Sequence, residues 1–288
     1  MSSRNKNNLS KLFPLAVVAF GIVTITAISL SSRQPQYSNT EAKAKAICNS
    51  RYDPTIKPDE FTTKITNKYT SLPVGRKLTY EEQTVDGTEK VEITIDGQTK
   101  KVMGVTTLVY RDKVWLDSNE DGKYTAKEII EDTKDYVAQH KSTRDLWYFG
   151  EDVSNYEDGK FMNNDGSWLA GKDGAKPGIW VKQSPKVGET YLQECYKGEA
   201  EDTVEIVSLD TNVKLKEFGT LKDCLKTYDY TPLDAESKEF KYYCPSLGAR
   251  VAAENILTEE RAELVGLQDS KKNNDNDDDD DEDNDGDD

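Results

Sequence analysis

An all-β body is what this sequence predicts: about ten antiparallel strands in a meander, bent into a curved sheet, a half-barrel or a barrel. Three observations lead there. Runs rich in β-branched and aromatic residues recur between Cys48 and Gln268, and in the clearest of them the apolar Val91, Ile93 and Ile95 lie two apart. Turn signals separate the runs: Asp86-Gly87, Asp96-Gly97, Asp121-Gly122, Asp158-Gly159, Asp165-Gly166, and Pro245 through Gly248. Helix is scarce, since only Glu41–Ile47 and the stretch Phe61–Tyr69, both short and near the N-terminus, are compatible with it.

The strands follow in order. Lys77–Gln83 (KLTYEEQ) and Glu89–Asp96 (EKVEITID) flank the first Asp-Gly turn as a hairpin. Thr99–Leu116 and Ile129–His140 are long β-branched runs, and Asp145–Glu151 places Trp147 and Phe149 on one face with Tyr148 on the other. Glu189–Tyr196, Val204–Leu209, Leu225–Thr231, Glu239–Cys244, Ala249–Asn255 and Ala262–Leu267 complete the meander, and no repeat of fixed period is visible. So many strands must cover one face or close on themselves, because open edges invite aggregation. A two-sheet sandwich is the other packing solution. Periodicity leaves open whether a concave interior is filled by side chains or holds a ligand.

Charge is distributed unevenly. The chain of 288 residues carries Lys+Arg 38 against Asp+Glu 54, a net −16, and 11 of those acids lie between Asp275 and Asp288 with no base among them. Such a balance excludes a basic nucleic-acid footprint. Residues 269–288 read as a solvated, self-repelling, disordered tail. Within it Asp281-x-Asp283-x-Asp285-Gly286 opens like a calcium loop but has no closing carboxylate.

At the other end, Arg4, Lys6 and Lys11 precede nineteen uncharged residues, Leu12–Leu30. A positive start followed by an apolar run is the pattern of an export signal, and this run also reaches the length of a spanning helix. Ala27-Ile28-Ser29 is a small-x-small cleavage site. Residues 1–32 are thus a cleaved signal or a retained transmembrane anchor, 33–69 a linker with a short helical segment, 70–268 the β domain, and 269–288 the tail. Either fate of the N-terminus puts the body outside the cytoplasm, secreted or anchored at the cell surface, with the membrane a partner if the segment is retained.

Cys48, Cys195, Cys224 and Cys244 are an even number in a chain read as exported, where disulfides form and persist. Their spacings match no zinc template, and His140 is the only imidazole. If Asp234-Ala235 turns a hairpin, Cys224 and Cys244 face each other across it at a separation a disulfide closes. That leaves Cys48 with Cys195. Four buried free thiols are the alternative.

One motif carries defined chemistry. Residues 117–128, DSNEDGKYTAKE, fit the calcium-loop pattern D-x-[DN]-x-[DN]-G-x5-E without a mismatch. Asp117, Asn119 and Asp121 place hard oxygens at alternate positions, and Gly122 permits the positive φ that folds the loop back. Lys123 offers its carbonyl, Thr125 reaches the ion directly or through water, and Glu128 closes the shell. Tyr124 takes the apolar slot that anchors such loops to the core. The flanks read as strands rather than paired helices, so the expected role is structural, not sensory. A plain polar connection between strands is the competing reading, since Asp-Gly is also a hairpin signal.

The aromatic stretches Leu146–Glu151, Gly166–Gly171 and Gly174–Trp180 are read first as the hydrophobic filling of the sheet, and alternatively as a sugar- or lipid-contacting rim. With their neighbours they also carry a likeness. The segments DLWYFGED (Asp145–Asp152), GSWLAGKDGAKPGIWV (Gly166–Val181), PKVGETYLQECYKGEAED (Pro185–Asp202) and FKYYCPSLGARV (Phe240–Val251) resemble a family of exported prokaryotic β-rich proteins of unassigned function. The likeness spans about residues 70–267 and implies a shared envelope-side β-fold; it transfers no catalytic residue. This chain departs from it in the acidic tail, in Cys195 and Cys244, and in the complete calcium-like loop.

No nucleophile–base set and no phosphate-cradling glycine loop can be assembled, so the sequence points to a non-catalytic exported or cell-surface protein with calcium as cofactor and partner. Two alternatives stand beside it. One is a carrier or chaperone for a lipid, another apolar small molecule or a cell-envelope component. The other is a hydrolase using paired carboxylates drawn from Asp152, Glu157, Asp165, Asp173, Glu194, Glu199 and Glu201.

Overall fold

The computed structural model describes residues 47–270. The apolar run 12–30, the Glu41–Ile47 segment except its last residue, and the tail from residue 271 lie outside the described residues. Among the described residues no helix is long and apolar enough to cross a membrane.

The chain forms β1 (Phe61–Thr62), β2 (Lys77–Thr84), β3 (Gly87–Thr94), β4 (Thr99–Val102), β5 (Val105–Asp117), β6 (Ile129–His140), β7 (Leu146–Glu157), β8 (Lys160–Asn163) and β9 (Trp168–Leu169). It continues through β10 (Lys176–Val181), β11 (Thr190–Leu192), β12 (Glu194–Cys195), β13 (Thr203–Leu215), β14 (Gly219–Tyr230), β15 (Lys238–Cys244), β16 (Ala249–Asn255) and β17 (Arg261–Gln268). Every pairing between these strands is antiparallel. They make one sheet. Lateral neighbours run from β13 to β17, on through β2, β3, β5, β6 and β7, to β10. There β10 pairs with β12 and β13 with β11, and only Gln193 separates β11 from β12 in the chain. The sheet therefore nearly closes into a barrel.

The all-β expectation holds, and two of its details are corrected. Seventeen strands replace about ten. Part of the excess comes from the run Thr99–Leu116, which breaks at Met103-Gly104, where φ of +49 and +82 makes a tight turn between β4 and β5. The rest comes from β1, from the short strands β8, β9 and β10, and from the run Glu189–Tyr196, which splits at Gln193 into β11 and β12. The helix expected in Phe61–Tyr69 is absent. Its first two residues pair with β6, and the Asn67 side chain accepts from the Tyr69 N–H (2.9 Å) and donates to the carbonyls of Arg144 (3.0 Å) and Val181 (3.1 Å). These ties hold the segment extended across the sheet. The one helical turn nearby is a 3₁₀ turn at Pro58–Glu60.

Register decides which residues share a face. Leu108, Val137 and Tyr148 stand abreast on β5, β6 and β7; Tyr110, Asp135 and Glu151 form the next row, and Asp112, Thr133 and Val153 the one after. On the opposite face, Phe61 packs edge-on against Trp147, Phe149 and His140. The interior aromatics are one group: the Trp180 ring lies 5.1 Å from both Tyr110 and Tyr148, and Trp168 lies 5.4 Å from Tyr148. Aromatic filling of the sheet is thus what Trp147–Phe149 and Trp168–Trp180 provide.

Both disulfides form as the spacing suggested. Cys224 and Cys244 face each other across β14 and β15 with Cα atoms 4.3 Å apart, and Cys48 joins Cys195 of β12. The second link clasps the N-terminal segment to the barrel wall, where Tyr52 donates to the Pro177 carbonyl (2.9 Å) and Lys176 donates to that of Tyr52 (2.6 Å).

Candidate functional site

The 117–128 loop connects β5 to β6 at one end of the barrel. Its base is clamped by backbone bonds from Leu116 N–H to the Glu128 carbonyl (2.9 Å) and from Glu128 N–H to the Thr125 carbonyl (3.2 Å). Neighbouring backbone holds it closely too: a Cβ on Gly87 would lie 2.4 Å from the Asp117 carbonyl oxygen. Gly122 has φ +72, as the motif requires, and Glu120 has φ +56.

Carboxylate oxygens of Asp117, Asp121 and Glu128 lie within 4.8 Å of one another. Asp117, only 2% exposed, accepts from Asp121 N–H (3.2 Å) on one oxygen and from Gly122 N–H (2.8 Å) on the other. Asp121 accepts from Lys123 N–H (2.9 Å), and Glu128 accepts from Thr125 N–H (2.7 Å). These bonds orient the oxygens and leave each a further lone pair toward a cation. Asn119 is turned differently: its Oδ1 accepts from Asp121 N–H (2.9 Å), while its amide nitrogen donates to Glu128 (3.3 Å). Lys123 reaches back to Asp121 with its ammonium (3.4 Å), and the Thr125 hydroxyl accepts from Lys127 N–H (3.3 Å). Of the six residues read from sequence, three are therefore assembled as side-chain donors. Asn119 would need its amide reversed to contribute an oxygen. Tyr124 is half-buried with the Lys90 ammonium 4.8 Å from its ring, so it anchors the loop on β3.

The interior holds a second concentration of carboxyls, of which the sequence reading named only Glu194. Glu82, Glu89, Asp112, Asp135, Glu151, Glu194 and Asp229 are all buried. Opposing them are buried cations, Lys241 and Arg250 among them. A signal existed, since Glu82 is in phase with Leu78 and Tyr80, and Glu89 with Val91 and Ile93, so each acid shares the parity of the apolar face. Burial pushes Glu82 up to about 8, with the carboxylates of Glu89 and Glu239 adding to it. Burial likewise raises Glu131 to about 7 against the lowering bond from Thr133. Asp135, Glu151 and Glu194 are raised for the same first reason, and neighbouring carboxylates reinforce it.

These shifts fix the sign of a pH effect. A carboxyl raised in the fold binds more protons folded than unfolded between its two values, so its contribution is complete below the ordinary carboxylate range and lost as pH climbs through the folded value. From Glu82 and Glu131, stability is expected to fall by a few kcal/mol between about pH 5 and about pH 8, seen as a thermal midpoint several degrees lower at the higher pH. Further acidification reverses the trend, because the hydrogen bond from Arg76 holds Asp269 below its usual value and protonation breaks that pair. A midpoint that is flat or rising across that window would contradict the burial assignment.

The chain matches no protein-family model, no curated protein and no solved structure.

Proposed function

We propose that this chain is a non-catalytic exported or cell-surface protein whose barrel is braced by two disulfides and by a calcium ion in the 117–128 loop. The observation that carries the reading is the convergence of Asp117, Asp121 and Glu128 within 4.8 Å, in a loop whose backbone already has the positive φ the motif asks for. Three hard oxygens, a carbonyl at Lys123 and water suit calcium. The ion would neutralise clustered acids and order the loop. Because the loop joins two strands of one sheet, there is no helix pair to open, and the role is structural. Two disulfides fit a chain folded in an oxidising compartment.

Two competing readings have less support. For an apolar carrier, one cavity, lined by Leu72, Leu78, Tyr110, Trp180 and Tyr243, measures about 20 Å³, room for one water, and the larger pocket of about 410 Å³ beside Ile65, Asn67, Lys68, Ser71 and Pro245 is lined in good part by polar residues. For a hydrolase, Asp135 and Glu151 do stand abreast, but both are buried inside the barrel.

Calorimetric titration tests the calcium site. A dissociation constant of about 10⁻⁴–10⁻³ M is expected, so about 10 mM calcium should add roughly 1.4–2.7 kcal/mol of stability. Asp117→Asn with Glu128→Gln should abolish both the heat and the stabilisation. Equal heats for the two proteins would remove the reading.

A further inference from the structure

The tail read from the sequence as beginning at residue 269 has its first carboxylate fixed. Asp269 accepts from Nε (2.7 Å) and Nη2 (2.8 Å) of Arg76, a side chain in a residue only 7% exposed. The remaining guanidinium nitrogen donates to the carbonyls of Ser71 (3.0 Å), Leu247 (3.3 Å) and Gly248 (3.2 Å). A Cβ on Gly75 would overlap the Ser270 hydroxyl, so the following residue is packed against the chain just before Arg76. The same segments build the groove of about 410 Å³, which runs between residues 65–73 and the turn Pro245–Gly248 and has Thr66, Lys68, Ser71, Pro73 and Ser246 in its lining. Its two walls are joined where the Ser71 N–H donates to the Gly248 carbonyl (2.8 Å). The groove lies at the end of the barrel away from the calcium-like loop, since Arg76 precedes β2 whereas Asp117 is level with Thr88 at the far end of the β2–β3 hairpin.

We infer that the acidic run Asp275–Asp288 docks back across this groove within the same chain. Charge selects that occupant. The lining contains Lys68 and no acid. Lys64 is exposed one residue before the lining begins at Ile65, and Arg144 donates to the Thr66 carbonyl (2.7 Å), which brings a third cation to the same wall. Among the described residues none of these three cations is paired with a carboxylate. Asp145, next to Arg144 in the chain, is engaged by the Gln183 N–H (2.9 Å). Against this wall the run Asp275–Asp288 offers 11 acids and no base. Their mutual repulsion is relieved wherever they meet fixed positive charge. Distance selects the same occupant. Six residues separate Asp269 from Asp275, an extended reach of about 20 Å, and Asp269 is bonded to the arginine that holds both walls. Tethering at such short range gives the run a high effective concentration at the groove. Ion pairs that are individually weak at a surface then suffice together, without the tail adopting a fold of its own.

Carbodiimide coupling, which joins a carboxylate to a lysine amine that it touches, tests this on the full chain. EDTA is present throughout, so the calcium reading plays no part. Unlabelled and heavy-nitrogen-labelled protein are mixed in equal amounts at low salt, coupled, and digested with trypsin, which releases the tail as residues 273–288. That peptide is expected to be joined mainly to Lys64 or Lys68, within one isotopic species, with a yield at least about fivefold lower in about 0.5 M salt. Arg144→Glu leaves both lysines in place as reactants and should lower their coupling at least about threefold. The product joining Lys77 to Glu92, an ion pair of 2.6 Å inside the sheet, reports an intact fold in every sample. Coupling of the tail spread over the lysines of the body according to their exposure would overturn the inference. So would no coupling to the body, or yields that ignore Arg144→Glu. Products joining the two isotopic species would overturn it as well, by placing the tail on a second copy of the chain.

Discussion

Replacing Cys48 and Cys195 together by alanine is expected to lower stability by about 5 kcal/mol, against about 3 kcal/mol for the Cys224/Cys244 pair. The difference follows from what each link constrains. Cys48 and Cys195 are 147 residues apart, whereas Cys224 and Cys244 are separated by 20 and already held in register by their strands. In the chain-entropy account, closing the longer loop removes more freedom from the unfolded chain. Position adds to it. Without the link, the segment that seats Tyr52 against Pro177 is held by a few hydrogen bonds and a small apolar contact with Leu192. Urea unfolding of the two double variants, compared with the parent at equal m-value, checks the order. Should the Cys48/Cys195 variant lose under about 1 kcal/mol, the clasp contributes little to the fold and the entropic argument fails.

Lys241→Met is expected to cost about 3–5 kcal/mol at pH 8, far more than a volume-matched change at the surface. Lys241 is 3% exposed, yet its ammonium remains charged, well above the ordinary lysine range. Burial works against that charge, and the carboxylates of Asp229 and Glu239 outweigh it. Methionine keeps the packing but leaves those two acids without a cation in a dry interior. Part of the loss should return at about pH 5, since an uncompensated buried carboxyl takes up a proton. Unfolding measured at both pH values separates this account from a packing defect, which would cost the same at each.

Much of the barrel was legible before any coordinates. Alternation in Glu89–Asp96 marks the inner face correctly, with Val91, Ile93 and Ile95 all buried. Asp86-Gly87 and Asp158-Gly159 turn hairpins as composition suggests, with positive φ at Gly87, Asp158 and Gly159. The Cys224–Cys244 pairing follows from hairpin symmetry, and Cys48–Cys195 is the pair that remains. The calcium-like loop lies where the pattern put it, although the pattern could not orient the Asn119 amide. Where local signals were weak, tertiary contacts took over. Met103-Gly104 is an unremarkable dipeptide that nevertheless turns a hairpin, and Asn67 holds Phe61–Tyr69 extended by bonding to chain more than seventy residues away.

Residue type, periodicity and turn chemistry were enough to determine an all-β chain with a hard-oxygen loop between two strands, because these depend on neighbours a few positions away. Closure of the sheet through Gln193, and the enclosure of Asp112, Glu151 and Glu194 within it, depend on strands far apart in the chain meeting in one register. A glutamate on a strand has the same sequence signature whether its face meets water or the inside of a barrel. Only closure decides which, and with it whether the charge is freely solvated or requires a partner.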